Sequence, residues 1–441
     1  MSRMQRLVLA VLFLLSVPAA AAAAPPEVTA GVTAVKCGHL IDVRAGTSLA
    51  GAVILIEKGR ITAAGPGVKI PAGARVIDLG AATVLPGLID VHTHLLTNLD
   101  PEKGDEQLAG TMFTQMSPAK RALLGAGMAR EMLEAGFTAV RDLGNSGTNG
   151  DVALRDAIHA GWVVGPRMAV STRALSPIGG QYGGLSSLGR DLIPLEYADV
   201  TGTDEARRAV RQAIFDGASV IKVIVNATTT LSLDEMKAIV DEAHRNGLKV
   251  AAHAIGDEPT RIAAQAGVDS IEHAYTVPDD VLRLMAEKKI YLVPTDYPAD
   301  FIALLSGPHT PEQEKAMRPG LDAMVAASGA RLARAVKAGV PIAAGSDEYY
   351  AIPGRTRGQA ARAIFRAYAG AGLKPLDILR AATLNAADLL GWQKQLGTLE
   401  PGKYADLIAV PGDPLADIGE LEKIGFVMKG GVVVRDELSK R

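Results

Sequence analysis

The sequence predicts an α/β fold: a (β/α)8 TIM barrel carrying a small β-sandwich domain assembled from both chain ends. Three observations lead there. The chain has 441 residues, which suits a large barrel with a companion better than one small domain. Short β-rich runs alternate with amphipathic stretches through the whole middle of the chain. Both ends instead read as strands broken by Gly and Pro.

The elements follow in chain order. Arg3 and Arg6 precede an apolar run over 7–17, then Pro18 and the alanines of 19–24. This is the pattern of a cleaved secretory signal over residues 1–24, and it predicts an exported protein, periplasmic or secreted. The run is short for a membrane span, so no stable anchor is expected after cleavage; a retained anchor is the alternative. Residues 28–85 carry strand-like runs at 28–35, 52–57, 60–64 and 74–78, and residues 395–441 carry others at 406–410, 425–429 and 431–435. These two pieces are expected to pair into the β-sandwich domain. Between them, 86–394 holds eight β runs, at 87–94, 138–143, 167–172, 219–225, 249–253, 270–273, 291–294 and 341–346. Helical stretches separate most of them. In 232–246, for example, Ser232 and Glu235 have capping-box spacing and Gly247 follows as the stop. A Gly-rich insertion over 176–204 follows the third run. In a barrel it would lie over the active-site face, either as a lid or pocket wall or as a plain surface loop.

Bulk properties narrow the function. Hydrophobic residues make up 48% and charged residues 21% of the chain, with a formal net charge of −2. A sizeable core can form, and no basic face recommends a nucleic-acid partner. Cys37 is the single cysteine, which excludes an intrachain disulfide and a cysteine-built zinc site. It reads as a packing residue.

The chemistry concentrates at strand ends. Of the eight histidines, His92 and His94 lie in "DVHTHL" at the end of the first run. Alternate residues on a strand share a face, so both rings can address one point. His253 ends the fifth run, His273 the sixth, and Asp347 follows the eighth. Lys222 stands inside the apolar fourth run, "SVIKVIVN". Taken singly, each has an ordinary explanation: a hydrogen-bonding strand-end histidine, or a lysine snorkelling to solvent. Together, all six fall toward the C-terminal ends of strands in one barrel, the face on which this fold places its chemistry. His39, His159, His244 and His309 read as surface or packing residues.

The order and spacing of several stretches resemble the amidohydrolase superfamily, and within it the prolidase-like and Xaa-Pro dipeptidase-like branch, with an imidazolonepropionase-like composite domain. They are "PGLIDVHTHL" (86–95), "TAVRDLG" (138–144), "VIKV" (220–223), "VAAHA" (250–254), "SIEHA" (270–274), "AAGSD" (343–347), "RAATLNAADLLG" (380–391) and "GTLEPGKYADLIAV" (397–410). The resemblance runs from about residue 30 to the C-terminus. It implies two divalent metal ions, zinc by default, although the same ligands suit manganese, cobalt or iron. One ion would be held by His92, His94 and Asp347 and the other by His253 and His273. It implies that Lys222 is converted to N6-carboxylysine, whose carbamate bridges both ions. It implies hydrolysis of an amide or peptide-like C–N bond by metal-activated water, with Asp347 as the proton shuttle. The expected partner is a small-molecule amide or dipeptide, an N-acyl amino acid included, and a homo-oligomer is common in such proteins.

The chain also departs from its relatives. Where they often carry a histidine in a "GGHG"-like turn after the third strand, this chain reads "GGQYGG", so Gln181 or Tyr182 is a candidate to donate to the substrate carbonyl. Tyr349, after the final aspartate, either shapes the pocket or packs a loop. Arg141 either meets a substrate carboxylate or pairs internally with Asp142 or Glu272; Arg355 and Arg357 pose the same choice. Two rival functions remain open: a mononuclear, imidazolonepropionase-like cyclic-amide hydrolase, which would not need the carbamate, and a non-catalytic binding protein on the same scaffold.

Overall fold

The computed structural model describes residues 31–103, 110, 112–182, 190–305, 307 and 309–439. The signal segment expected over 1–24 lies outside these residues. Among the described residues, no helix is long and apolar enough to cross a membrane.

The first five strands are β1 (Thr33–Asp42), β2 (Thr47–Glu57), β3 (Arg60–Pro66), β4 (Arg75–Asp78) and β5 (Thr83–Pro86). The hairpin between β2 and β3 turns through Lys58 at φ 48° and Gly59 at φ 76°, the positive-φ pair that matches the twist of adjoining strands. Gly59 is needed for a second reason: a Cβ there would stand 2.7 Å from the Gly430 carbonyl oxygen. Nine parallel-sheet strands follow: β6 (Leu88–Thr93), β7 (Phe137–Asp142), β8 (Arg167–Val170), β9 (Ala174–Ser176), β10 (Tyr197–Asp199), β11 (Val220–Ile224), β12 (Lys249–Ala254), β13 (Ser270–His273) and β14 (Tyr291–Val293). The chain ends with β15 (Leu407–Val410), β16 (Phe426–Lys429) and β17 (Val432–Asp436).

Both chain ends enter one eight-stranded sheet, in the order β17-β16-β15-β5-β1-β2-β3 with β4 beside β1. The join is β5 against β15, antiparallel from Thr83↔Val410 to Pro86↔Leu407. Alternate apolar residues of these strands form a core of their own, including Val35, Ile54, Ile61, Leu407 and Phe426. Cys37 belongs to it, 3% exposed; its Sγ lies 3.6 Å from the Ala52 carbonyl, and burial pushes the thiol up to about 12. It is a packing residue with negligible thiolate at neutral pH.

The middle of the chain forms two parallel sheets, β6-β7-β8 and β10-β9-β11-β12-β13-β14. Hydrogen bonds continue between them on both sides. Ser219 N donates to Val170 O at 2.8 Å. On the other side, the predicted eighth strand, 341–346, runs between β14 and β6 without forming a regular ladder. It makes a single parallel bridge, Leu292↔Ile342, with a second, Thr93↔Glu348, just beyond its end, and Val91 N donates to Ala344 O at 2.9 Å. The reason is local. The end of the helix Pro375–Ala381 presses into this gap, and the Ala381 and Ala382 carbonyls take the Ala344 and Ile89 N–H groups that a ladder would have used. The third predicted run, 167–172, likewise stops at Val170, because Thr172 turns left-handed at φ 60° before β9 resumes.

Helices cover the sheets as the sequence patterning anticipates. In the helix Leu233–Arg245, the Ser232 hydroxyl accepts from Glu235 N at 3.3 Å and Glu235 Oε2 accepts from Ser232 N at 2.7 Å. Its last turn carries His244, whose Nε2 lies 2.7 Å from Asp269 Oδ2. That hydrogen bond, against a smaller effect of burial and with help from the Asp269 charge, raises His244 above the usual histidine range. An imidazolium stabilised in the folded state contributes fully below the unfolded-state pKa of about 6.5 and loses the contribution as pH rises through the folded value. His244→Gln should therefore lower the thermal midpoint more at pH 6 than at pH 9. Equal shifts at both pH values would show that the pair carries no charge-dependent stability.

Candidate metal centre

The six residues singled out at strand ends line one cavity of about 270 Å3. The Nε2 atoms of His92 and His94 lie 3.4 and 3.1 Å from Asp347 Oδ1, and His273 Nδ1 lies 3.8 Å from Asp347 Oδ2. Lys222 Nζ stands 3.4 Å from His92 Nε2. The His253 ring packs edge-on to His273 at 4.7 Å between centroids. Ligand atoms of His92, His273 and Asp347 all fall within 4.8 Å of one another, a spacing that could hold a metal ion.

Backbone geometry makes this convergence possible. Along β13, Ser270 and Glu272 share a face, and strict alternation would send His273 to the other. His273 instead takes φ 66° and turns back toward the cavity it lines. Asp347 at φ 56° and Thr295 at φ 54° do the same at neighbouring strand ends. Non-glycine residues in this region cost about 1–3 kcal/mol each and cluster at functional sites. Gly345 serves the same end by its size: a Cβ there would meet Val293 Cγ1 at 2.4 Å and His92 Cβ at 2.8 Å. The last segment can thus press against His92 and deliver Asp347.

Each of three rings is fixed from behind. His92 Nδ1 lies 2.8 Å from Glu272 Oε2, His94 Nδ1 2.9 Å from Gly144 O, and His273 Nδ1 2.8 Å from Thr295 Oγ1. The Glu272 carboxylate and the Gly144 carbonyl, which only accept, hold the proton of His92 and His94 on Nδ1 and leave Nε2 as the free lone pair, the usual support behind a ligating histidine. Burial, followed by the Lys222 charge, drives His92 well below the usual range; burial, followed by the His273 charge, does the same to His253. His273 falls to about 4, chiefly through burial. Burial also lowers Lys222 to about 8, although the Glu272 and Asp347 charges oppose it. Asp347 is pushed up by burial, but its three histidine neighbours outweigh this and hold it below the carboxylate range. Neutral imidazoles, an amine that sheds its proton readily and an ionised carboxylate form a donor set suited to divalent cations.

The other candidates divide. Gln181, Tyr182 and Tyr349 line the cavity. Gln181 Oε1 accepts from Tyr197 Oη at 3.1 Å, and the Tyr349 ring stands edge-on to His94 at 5.8 Å. Arg141 does not line it. Fully buried, its guanidinium donates to Val91 O at 2.5 Å, Ser270 Oγ at 3.1 Å and Glu272 Oε1 at 2.9 Å. Of the two roles open to Arg141, the structure holds the internal pair with Glu272. Arg357 is equally committed, to the Glu348 and Thr97 carbonyls and Asn98 Oδ1, and Arg355 lies over the Phe301 ring at 5.8 Å. Sequence reasoning underrated Glu272 and missed Thr295, Asn145, Tyr197 and Tyr275, which hold the ligands or line the wall. Glu272 alone left a signal, as an acidic residue in a short strand directly before His273.

The amidohydrolase family profile matches residues 83–434. An ochratoxinase from Aspergillus niger is 32% identical over 382 residues, covering 79% of this chain and 75% of that protein. An imidazolonepropionase from Symbiobacterium thermophilum is 25% identical over 391 residues, covering 81% of this chain and 83% of that protein. The solved structure of a Xaa-Pro dipeptidase with methionine bound in its active site superposes with a TM-score of 0.79 at 29% identity, over 92% of this chain and 100% of that one. Sequence, fold and strand-end chemistry thus agree: the chain belongs to the amidohydrolase family and is a hydrolase acting on carbon–nitrogen bonds.

Proposed function

We propose that this protein hydrolyses the C–N bond of a small-molecule amide with water activated between two divalent metal ions, zinc by default. One observation carries the reading: His92, His94, Lys222, His253, His273 and Asp347 converge on a single cavity. In the same reading the two parallel sheets are arcs of one (β/α)8 barrel over 86–394. Residues 28–85 and 395–441 form a β-sandwich unit curled around the core that contains Val35 and Phe426. Residues 1–24 are an export signal that takes the protein to the periplasm or beyond, where it acts without a membrane anchor, as a homo-oligomer.

His92, His94 and Asp347 would hold one ion, and His253 and His273 the other. Lys222, as N6-carboxylysine, would bridge them. When bound, such ions lower the pKa of a water toward about 7 and polarise a carbonyl oxygen. The chain supplies the rest. Burial that brings Lys222 to about 8 leaves part of it as the neutral amine at neutral pH, the form that adds to carbon dioxide and releases a proton. Glu272 and the Gly144 carbonyl orient His92 and His94. Asp347, ionised and beside two imidazole Nε2 atoms, accepts the proton of the attacking water and returns it to the leaving nitrogen. Gln181 or Tyr182, both in the cavity wall, would donate to the carbonyl oxygen.

A second reading draws on one observation. The tight group of His92, His273 and Asp347 is also the size of a single-ion site, as an imidazolonepropionase-like cyclic-amide hydrolase would use. Metal stoichiometry separates the two. Plasma mass spectrometry should find close to two metals per chain in the wild type. In Lys222→Ala the content should fall sharply and turnover should vanish, with partial return of both on adding short carboxylic acids. One metal in both proteins would install the mononuclear reading. Asp347→Asn should keep much of the metal and lose about 10²–10⁴ in kcat, the usual worth of a positioned acid–base group; normal turnover would end the shuttle role. Glu272→Gln should weaken metal affinity by about 10- to 100-fold, measured by competition with a chelator, and unchanged affinity would show that His92 needs no support from Glu272.

A further inference from the structure

We infer that this protein carries a second binding site, away from the candidate metal ligands, that takes a small organic monocarboxylate with an apolar body. The inference goes beyond the proposed reaction and does not depend on it. The site is a cavity of about 620 Å3, within the size range of small-molecule pockets. It shares no lining residue with the cavity around His92. Arg167 and Met168 reach it from the first residues of β8, Arg155 and Ile158 from the helix Gly150–His159, and Lys429 from the last residue of β16. Trp392, beyond the helix Leu384–Leu389, closes another wall. The candidate ligands His253 and His273 stand near the C-terminal ends of their strands, whereas Arg167 stands at the start of its own. The cavity thus lies at the joint between the parallel sheets and the terminal sheet.

The balance of charge selects the ligand. Arg167 is answered by Asp406, which accepts from Nε and Nη2 at 2.9 and 3.1 Å. Arg155 is answered by the exposed Asp156, 2.8 Å from its Nε, and its Nη1 donates to Gly217 O at 2.7 Å. Lys429 differs. It is largely buried, its ammonium donates to the Gly165 carbonyl, and among the described residues it forms no ion pair with a carboxylate. Burial, followed by the Arg167 charge, pushes it down to about 8 against the pull of Asp406, the behaviour of a cation without a counter-charge of its own. One ammonium in excess is balanced by one negative charge, and a dianion would leave a charge over in a half-dry site. The Trp392 indole N–H, which has no partner among the described residues, adds a second group that only donates. Two donors and no acceptor suit the two oxygens of a carboxylate. Beside them the wall is apolar, with Ile158, Met168 and the Trp392 ring, a surface that a bare inorganic anion would leave uncovered.

The test uses the metal-loaded protein at neutral pH with phenylacetate, 2-phenylethanol and acetate as probes. The chain has two tryptophans, and Trp162 is 69% exposed. Trp162→Phe therefore leaves Trp392 as the sole indole, whose emission reports on this cavity. Phenylacetate should change that emission saturably. 2-Phenylethanol should bind about 10- to 100-fold more weakly, the scale of a hydrogen bond to a charged group, and acetate by a similar factor for want of the buried ring. Lys429→Met, checked for an unchanged thermal midpoint, should weaken phenylacetate about 10- to 100-fold. The comparison of the three probes needs no change at Lys429, so it decides the matter even if that variant does not fold. Equal affinity for phenylacetate and either of the other probes would overturn the inference, as would wild-type affinity in Lys429→Met. So would the absence of a saturable emission change up to about 10 mM, beyond the millimolar range of a weak ligand.

Discussion

Glu272 is the contact on which the rest of the site depends. Its carboxylate is fully buried, and it joins three strands at once: Arg141 of β7, Ser270 of its own β13, and the His92 ring of β6. A buried carboxylate is tolerable only with charge and hydrogen-bond partners. Arg141 supplies the charge, and the arginine is itself balanced by Val91 O. Breaking one side of such a buried pair costs about 3–5 kcal/mol because the other charge is stranded. The same carboxylate also sets the tautomer of His92. Stability of the sheet interior and readiness of the ligand are therefore one arrangement.

Above that buried pair, the site is held in conformations the chain would not choose. His273, Thr295 and Asp347 occupy the left-handed region in succession around the mouth, and three buried histidines crowd Asp347. Both costs are met by the surrounding packing. Gly345 lets the last segment lie against His92, and the helix end at Ala381 and Ala382 completes the hydrogen bonding that the irregular segment leaves open. Strain is concentrated where side chains must point to one place, and the regular ladders of β11, β12 and β13 carry the load beside it.

The terminal sheet is fastened to the parallel sheets by a second polar joint. Arg167, at the start of β8, makes two bonds to Asp406, at 2.9 and 3.1 Å. Its guanidinium also lies 3.7 Å from the Tyr404 ring centroid, with Arg60 at 4.0 Å. Asp406 further accepts from Gly430 N. One carboxylate thus ties β8 to the turn between β16 and β17.

Much was determined by the sequence alone. The alternation of β-rich and amphipathic runs, the capping pair Ser232–Glu235 and the positions of His92, His94, Lys222, His253, His273 and Asp347 follow from local patterning. Strand period and turn chemistry are properties of neighbouring residues, and these candidate residues sit in or just after predicted strands. Tertiary structure decided the rest. Nothing local distinguishes an Arg141 that meets a substrate from one that pairs with Glu272, because the two are 131 positions apart. The eighth run reads as a strand, yet the Ala344 N–H goes to the Ala381 carbonyl at a helix end and the Ser346 N–H to the Asp90 side chain. Thr295, Asn145 and Tyr275 carry no motif, and they gain a role only when folding brings their strand ends to the same mouth. Periodicity records which face a residue shows; which residue it meets there depends on the packing of distant segments.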